Sequence, residues 1–218
     1  MISVTRVVMA VAFLNALLTL HNIWPTPWIK LAPELSVELF AILLAISLLL
    51  EMKGRVGRRM MAALTVIFIV LAVGRYADVT APALFGRPIN LYWDVRHAPN
   101  VAAMMIDSAV AWRVAVGIVL SLVFVGGFIL AVVYALKTVV AAFQSTHTRR
   151  ASALGCVVFL LIYSVGMTRD DVHTEGWFAI PVAPVYARQA EFLIKAGAPT
   201  DAAGVTPTAT STPYRPLP

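Results

Sequence analysis

The sequence predicts an all-α integral membrane protein with five transmembrane helices, its amino end inside and its carboxyl end outside. Three observations point there: a composition too apolar for a soluble domain, five hydrophobic runs of near-bilayer length, and a charge surplus confined to alternate connections. The chain has 218 residues, of which 60% are hydrophobic and 13% charged, with a mean hydropathy of +0.84. Soluble domains average about 45–50% apolar and about 25% charged residues, so an ordinary soluble domain is excluded, as are a disordered and a collagen-like chain. One cysteine, Cys156, lies inside a hydrophobic run, which excludes a disulfide framework or a Cys-based metal site.

A hydrocarbon core about 30 Å thick needs about 20 helical residues, with a range of roughly 17–25. The first run, about 7–23, has Asn15 as its strongly polar interior residue, and Arg6 can snorkel from its amino end. A short basic start before an apolar run also resembles a signal peptide. However, His21-Asn-Ile-Trp-Pro25 offers no small-x-small cleavage pattern, so we read an uncleaved span. The second run, 37–52, opens after Pro33 and Ser36 and closes on Glu51 and Lys53; it is short, so mild thinning or snorkelling is expected. The third, 60–76, follows Arg58 and Arg59. The fourth, 114–136, carries no charge and has Gly126-Gly127 near its middle, read as ordinary internal packing. The fifth, 151–168, follows Arg149-Arg150.

Charge placement orients these spans. The amino terminus and the connections 51–59 and 137–150 hold Arg6, Lys53, Arg55, Arg58, Arg59, Lys137, Arg149 and Arg150 against Glu51 alone. The other two connections balance Lys30, Arg75, Arg87, Arg96 and Arg113 against Glu34, Glu38, Asp78, Asp94 and Asp107, and the tail is one charge negative. The whole surplus of +6 therefore comes from one face, which the positive-inside rule makes cytoplasmic. The pI near 9.8 reports topology and contact with anionic headgroups, and implies no nucleic-acid partner.

The external segments are longer and carry more chemistry. Residues 77–113 exceed a plain connector. Asp78, Arg87, Asn90, Tyr92, Trp93, Asp94, Arg96 and His97 gather ionisable groups, aromatic rings and turn formers there. The bland reading is a self-neutralising surface loop. The sharper one has Arg87 and Arg96 meeting lipid-headgroup phosphate while Tyr92 and Trp93 anchor the loop at headgroup level. From Asn100, a candidate N-cap, Val101, Met104, Met105, Ala109 and Trp112 fall at helical spacing, which predicts an interfacial helix between spans three and four. After span five, residues 169–196 form an external juxtamembrane segment. Its helix at Tyr186–Ala196 has an apolar stripe of Val185, Ala190, Phe192 and Ile194. Residues 197–218 are rich in Ala, Thr and Pro and read as a flexible tether.

Known catalytic signatures are missing. No glycine-rich nucleotide loop, Walker motif, His-Glu-x-x-His or Gly-x-Ser-x-Gly occurs. His21, His97, His147 and His173 sit at span ends, in connections or in the tail, not paired at membrane depth as haem ligation needs. Charge within the spans is nearly absent, and no inverted repeat is visible, which weighs against a transporter.

The order of five spans, a long external loop with an interfacial helix, a juxtamembrane helix and a tether resembles the membrane half of sulfatase-like transferases of the alkaline-phosphatase superfamily. These include lipoteichoic acid synthases and lipid A phosphoethanolamine transferases. The stretches from Arg75 to Asp94 and from Pro181 to Ala190 are similar to segments of such Gram-negative membrane proteins. The resemblance implies a bacterial inner-membrane protein with an external carboxyl end. It would be a non-catalytic anchor that presents membrane lipid to an external sulfatase-like domain or subunit. Family members hold zinc or manganese in a large external catalytic domain; no catalytic or metal residue carries over to this chain, so no cofactor is expected in it. The competing expectation is a small scaffold protein that binds a partner through its external loop and tail.

Overall fold

The computed structural model describes residues 3–168 and 176–197, and these form an all-α protein. The expectations for residues 169–175, His173 among them, and for the tether 198–218 lie outside the described residues. α1 (Val4–Leu18) is followed by a short hairpin, β1 (Leu20–Asn22) and β2 (Ile29–Leu31). Then come α2 (Val37–Lys53), α3 (Arg58–Phe85), α4 (Leu91–Ser108), α5 (Ala111–Ala142), α6 (Thr146–Thr168) and α7 (Ala183–Gly197). Three of these, α3, α5 and α6, are long and apolar enough to cross a membrane. At 1.5 Å per residue α1 and α2 reach only about 22 and 25 Å.

α2 forms where the spacing of its caps says it should. Ser36 accepts from the Leu39 N–H at 3.3 Å, Glu38 sits in the positive first turn, and Gly54 (φ 66) closes the helix with its N–H on Leu50 O at 2.9 Å. α2 packs on α6, and α5 packs on both α1 and α3. The core they share is closed by Leu14, Leu18, Ile46, Phe68, Val132, Leu136 and Val139, each completely buried. At the basic end Glu51 clasps the start of α6: Arg149 reaches it at 2.5 Å and Arg150 at 3.3 Å.

Several boundaries differ from expectation, each for a physical reason. The first run does not continue as helix to residue 23. It stops at Leu18, because Pro25 and Pro27 cannot donate and the chain instead turns back. Leu20 pairs with Leu31, His21 with Lys30 and Asn22 with Ile29, and Asn22 Nδ2 braces the turn on Thr26 O at 2.6 Å. The third run passes Tyr76 and continues to Phe85, tolerating Pro82 in its last turn. It stops at Gly86, which takes the left-handed conformation (φ 66) and donates to Pro82 O at 3.0 Å. The interfacial helix starts at Leu91 rather than after Asn100, because Asn90 caps it and Pro99 sits inside without ending it. Its expected stripe is also cut, since the chain turns extended at Ala109 and Trp112 belongs to α5. Gly126 and Gly127 face open space and approach no other helix, so they are not internal packing positions.

α5 divides into two halves. Every buried residue it has lies at or beyond Val132, whereas Val116 to Val125 is exposed. α4 has no buried residue at all. The tryptophans are distributed with the same asymmetry. All five, Trp24, Trp28, Trp93, Trp112 and Trp177, are exposed and belong to segments at the hairpin end of the bundle, opposite Glu51 and Arg149.

Candidate functional site

The residues singled out within 77–113 do not form a single cluster. Arg87 and Asp94 form a two-pronged ion pair, Nη2 to Oδ1 at 2.5 Å and Nη1 to Oδ2 at 3.3 Å. Asp94 Oδ2 also accepts the Asn90 N–H at 2.8 Å, and Asn90 Oδ1 accepts the Trp93 N–H at 3.4 Å. Together these contacts build the first turn of α4. The Arg87 guanidinium, and then the Asn90 N–H, hold the Asp94 carboxyl below its usual range. A depressed folded-state value means that this support is present above about pH 4 and is lost as pH falls through the lowered value. Tyr92 and Trp93 meet edge to face with centroids 5.0 Å apart. Arg96 and His97 project from the exposed side of α4, and Arg96 forms no ion pair with any described residue. Asp78 stands apart on α3, where it accepts from Arg188 of α7 at 3.3 Å.

A second polar cluster, not anticipated from the sequence, lies where α1, α2, α3 and α7 converge. Arg75 had been assigned to a connection, yet it is 2% exposed inside α3. Its Nε donates to Leu20 O at 3.0 Å and its Nη1 to Ile180 O at 3.3 Å. Glu38 takes the start of α7: Oε1 accepts the N–H groups of Val182 and of Ala183, and Oε2 accepts the Ser36 hydroxyl at 3.1 Å. A carboxylate here complements the positive end of a helix dipole. Glu34 accepts from His21 Nε2 at 3.1 Å, and its backbone carbonyl accepts from Asn15 Nδ2 at 2.7 Å. Asn15, near the end of α1, also accepts the Ser36 N–H at 2.9 Å.

α7 is thereby fastened to the bundle along its length. Tyr186 donates its hydroxyl to Val70 O across the face of Gly74. Gln189 links α7 to α4: Nε2 donates to Ile89 O at 2.7 Å, and Oε1 accepts the Leu91 N–H at 2.9 Å. The buried face of α7 is accordingly Val185 and Gln189, with Val182 just ahead of it. Of the expected stripe only Val185 is buried, while Ala190, Phe192 and Ile194 are exposed, because a satisfied Gln189 occupies the position that apolar periodicity had assigned elsewhere.

The fold and its clasp define the class: an all-α protein with three helices of membrane-spanning length and apolarity, and a capped helix α4 at the hairpin end. Comparison with protein-family models, with curated proteins and with solved structures finds no match. Among the described residues, no group of three or more His, Cys, Asp or Glu is placed to hold a metal ion.

Proposed function

We propose that this chain is the membrane-anchor and lipid-presenting domain of a sulfatase-like cell-envelope transferase or hydrolase. It crosses the bacterial inner membrane five times, amino end in and carboxyl end periplasmic, and any zinc or manganese belongs to a partner catalytic domain. The observation that carries this reading is the interlock of α4 and α7 at the end of the bundle opposite the basic connections. The positive-inside rule and the one-sided tryptophans support that orientation. α1 and α2 fall short of the hydrocarbon thickness, a mismatch that local thinning and snorkelling accommodate. The resemblance of residues 75–94 and 181–190 supplies the transferase class, and membrane lipid is the partner of Arg87 and Arg96. A scaffold role is the second reading, favoured by α4, which has no buried residue and so offers most of its surface to a partner protein.

Two measurements test the proposal. Reporter fusions after Met52 and after Pro199 are expected to lie on opposite sides of the membrane; the same side for both would end the five-span topology. Replacing Arg87 and Arg96 together with Gln should weaken retention of anionic lipid by about fivefold per lost contact, near the roughly 1 kcal/mol of a basic residue at an anionic surface. Arg96 should account for most of the loss, since Asp94 already engages Arg87. Unchanged retention leaves the scaffold role.

A further inference from the structure

The two halves of α5 leave a gap beside α3. Where α5 parts from the bundle, a wedge-shaped cavity of about 530 Å³ opens between Val73 and Tyr76 of α3 and Phe124 and Phe128 of α5. The hairpin closes its outer end with Leu20 and Ile29. Its walls are hydrocarbon apart from the Tyr76 hydroxyl, and that group already donates to Pro27 O at 3.3 Å. The volume falls within the roughly 300–1,000 Å³ of small-molecule sites.

Physical chemistry narrows what can fill it. Water there would lack the two or more polar partners that a buried water needs. An empty wedge would forfeit the dispersion contacts of every atom lining it. The wedge lies between two of the three helices that are long and apolar enough to cross a membrane, and its lips, Val73 and Phe124, are exposed. The medium that meets those lips is therefore acyl chain. At the outer end, Ile29 of the hairpin lines the wedge. The exposed indoles of Trp24 and Trp28 belong to the same hairpin. A hydrocarbon slot that ends at a hairpin bearing interfacial indoles matches a phospholipid, tail inward and headgroup level with the hairpin.

We propose that the wedge between α3 and α5 is a binding site for one acyl chain of a membrane phospholipid. The site rests on the lipid-presenting reading above, but its residues are separate from Arg87 and Arg96, so the two can fail independently. The test uses the full chain in phosphatidylglycerol–phosphatidylethanolamine vesicles containing a phospholipid with a photoactivatable diazirine on its acyl chain. After illumination, covalent adducts are mapped by peptide mass spectrometry.

Adducts should concentrate on 69–76 and 124–129. Val73→Phe and Val125→Phe, at exposed positions on opposite walls, each put a ring into the wedge and should lower that labelling about fivefold. Val123→Phe, at a 67% exposed position of α5 outside the wedge, should leave it unchanged. Labelling spread evenly along α5, or undiminished by both wedge variants, overturns the site, as do adducts showing a second copy of the chain in the wedge. Loss with Arg87→Gln/Arg96→Gln but not with the wedge variants upholds lipid presentation and rejects the wedge. Loss with the wedge variants alone upholds the wedge and rejects the arginine site.

Discussion

Arg75→Leu is expected to destabilise the protein by about 3 kcal/mol, an apparent Tm lower by about 10 °C for a chain of this size. The leucine approximates the volume of the side-chain stem but removes every donor. Leu20 O loses its partner at the head of the hairpin, and Ile180 O loses one just before α7. Both contacts are charge-assisted, the one to Leu20 buried and the one to Ile180 partly so, a class worth about 1.5–3 kcal/mol. Glu34 and Glu38 also lose the cation that lies between their elements, which adds repulsion to the missing bonds. Arg75→Lys keeps the charge but not the planar fork, and should recover only part of the loss because one ammonium cannot reach two diverging carbonyls as well. Thermal unfolding in mild detergent, followed by circular dichroism, makes the measurement. A Tm unchanged in both variants would show that the buried guanidinium does not hold the outer end together.

The second large effect is local. A Cβ on Gly74 would lie 2.5 Å from Tyr186 Oη and 2.6 Å from its Cε2, inside any tolerable contact. Gly74→Val therefore expels the ring and ends its hydrogen bond to Val70 O. Together with the partial burial of the ring, this loss amounts to about 2 kcal/mol of docking for α7. Amide exchange in α7 should then accelerate about thirtyfold while α2 and the inner half of α5 keep their protection. Tyr186→Ala removes the obstacle, so adding Gly74→Val to it should cost almost nothing more. Additive losses in the double variant would mean that the glycine matters for some other reason.

These two residues also show what the sequence could and could not disclose. α2, α5 and α6 were legible because apolar runs of that length have few alternatives, and Ser36 and Gly54 mark one of them directly. The hairpin was not, because strands of three residues, Leu20-His21-Asn22 and Ile29-Lys30-Leu31, are too short to show an alternation. Arg75 was counted with the connections because a charge tally assumes that charged groups end in water. Only the carbonyls of Leu20 and Ile180, distant in sequence, make its burial tolerable. α4 begins ten residues earlier than the candidate cap Asn100 suggests, because the start is set by Asn90 and Asp94. In α7, apolar periodicity ignored Gln189, whose amide is worth burying only because the α4 start is there to meet it. The Arg87–Asp94 pairing had no local signature beyond seven residues of separation. Arg75 and Gln189 share one cause: each is a polar group satisfied by partners far along the chain.

The placement of the tryptophans has a mechanical consequence. Indoles favour the interfacial layer from either direction, so five of them at one end fix the depth of that end alone. The opposite end relies on flexible Lys and Arg side chains, which tolerate several ångströms of vertical travel at little strain. If the bilayer thickens or thins, the hairpin end should keep station while the basic connections at the other end take up the displacement. The molecule is thus moored from one side, like a buoy on a short chain, and whatever α4 and α7 carry stays at constant height above the lipid.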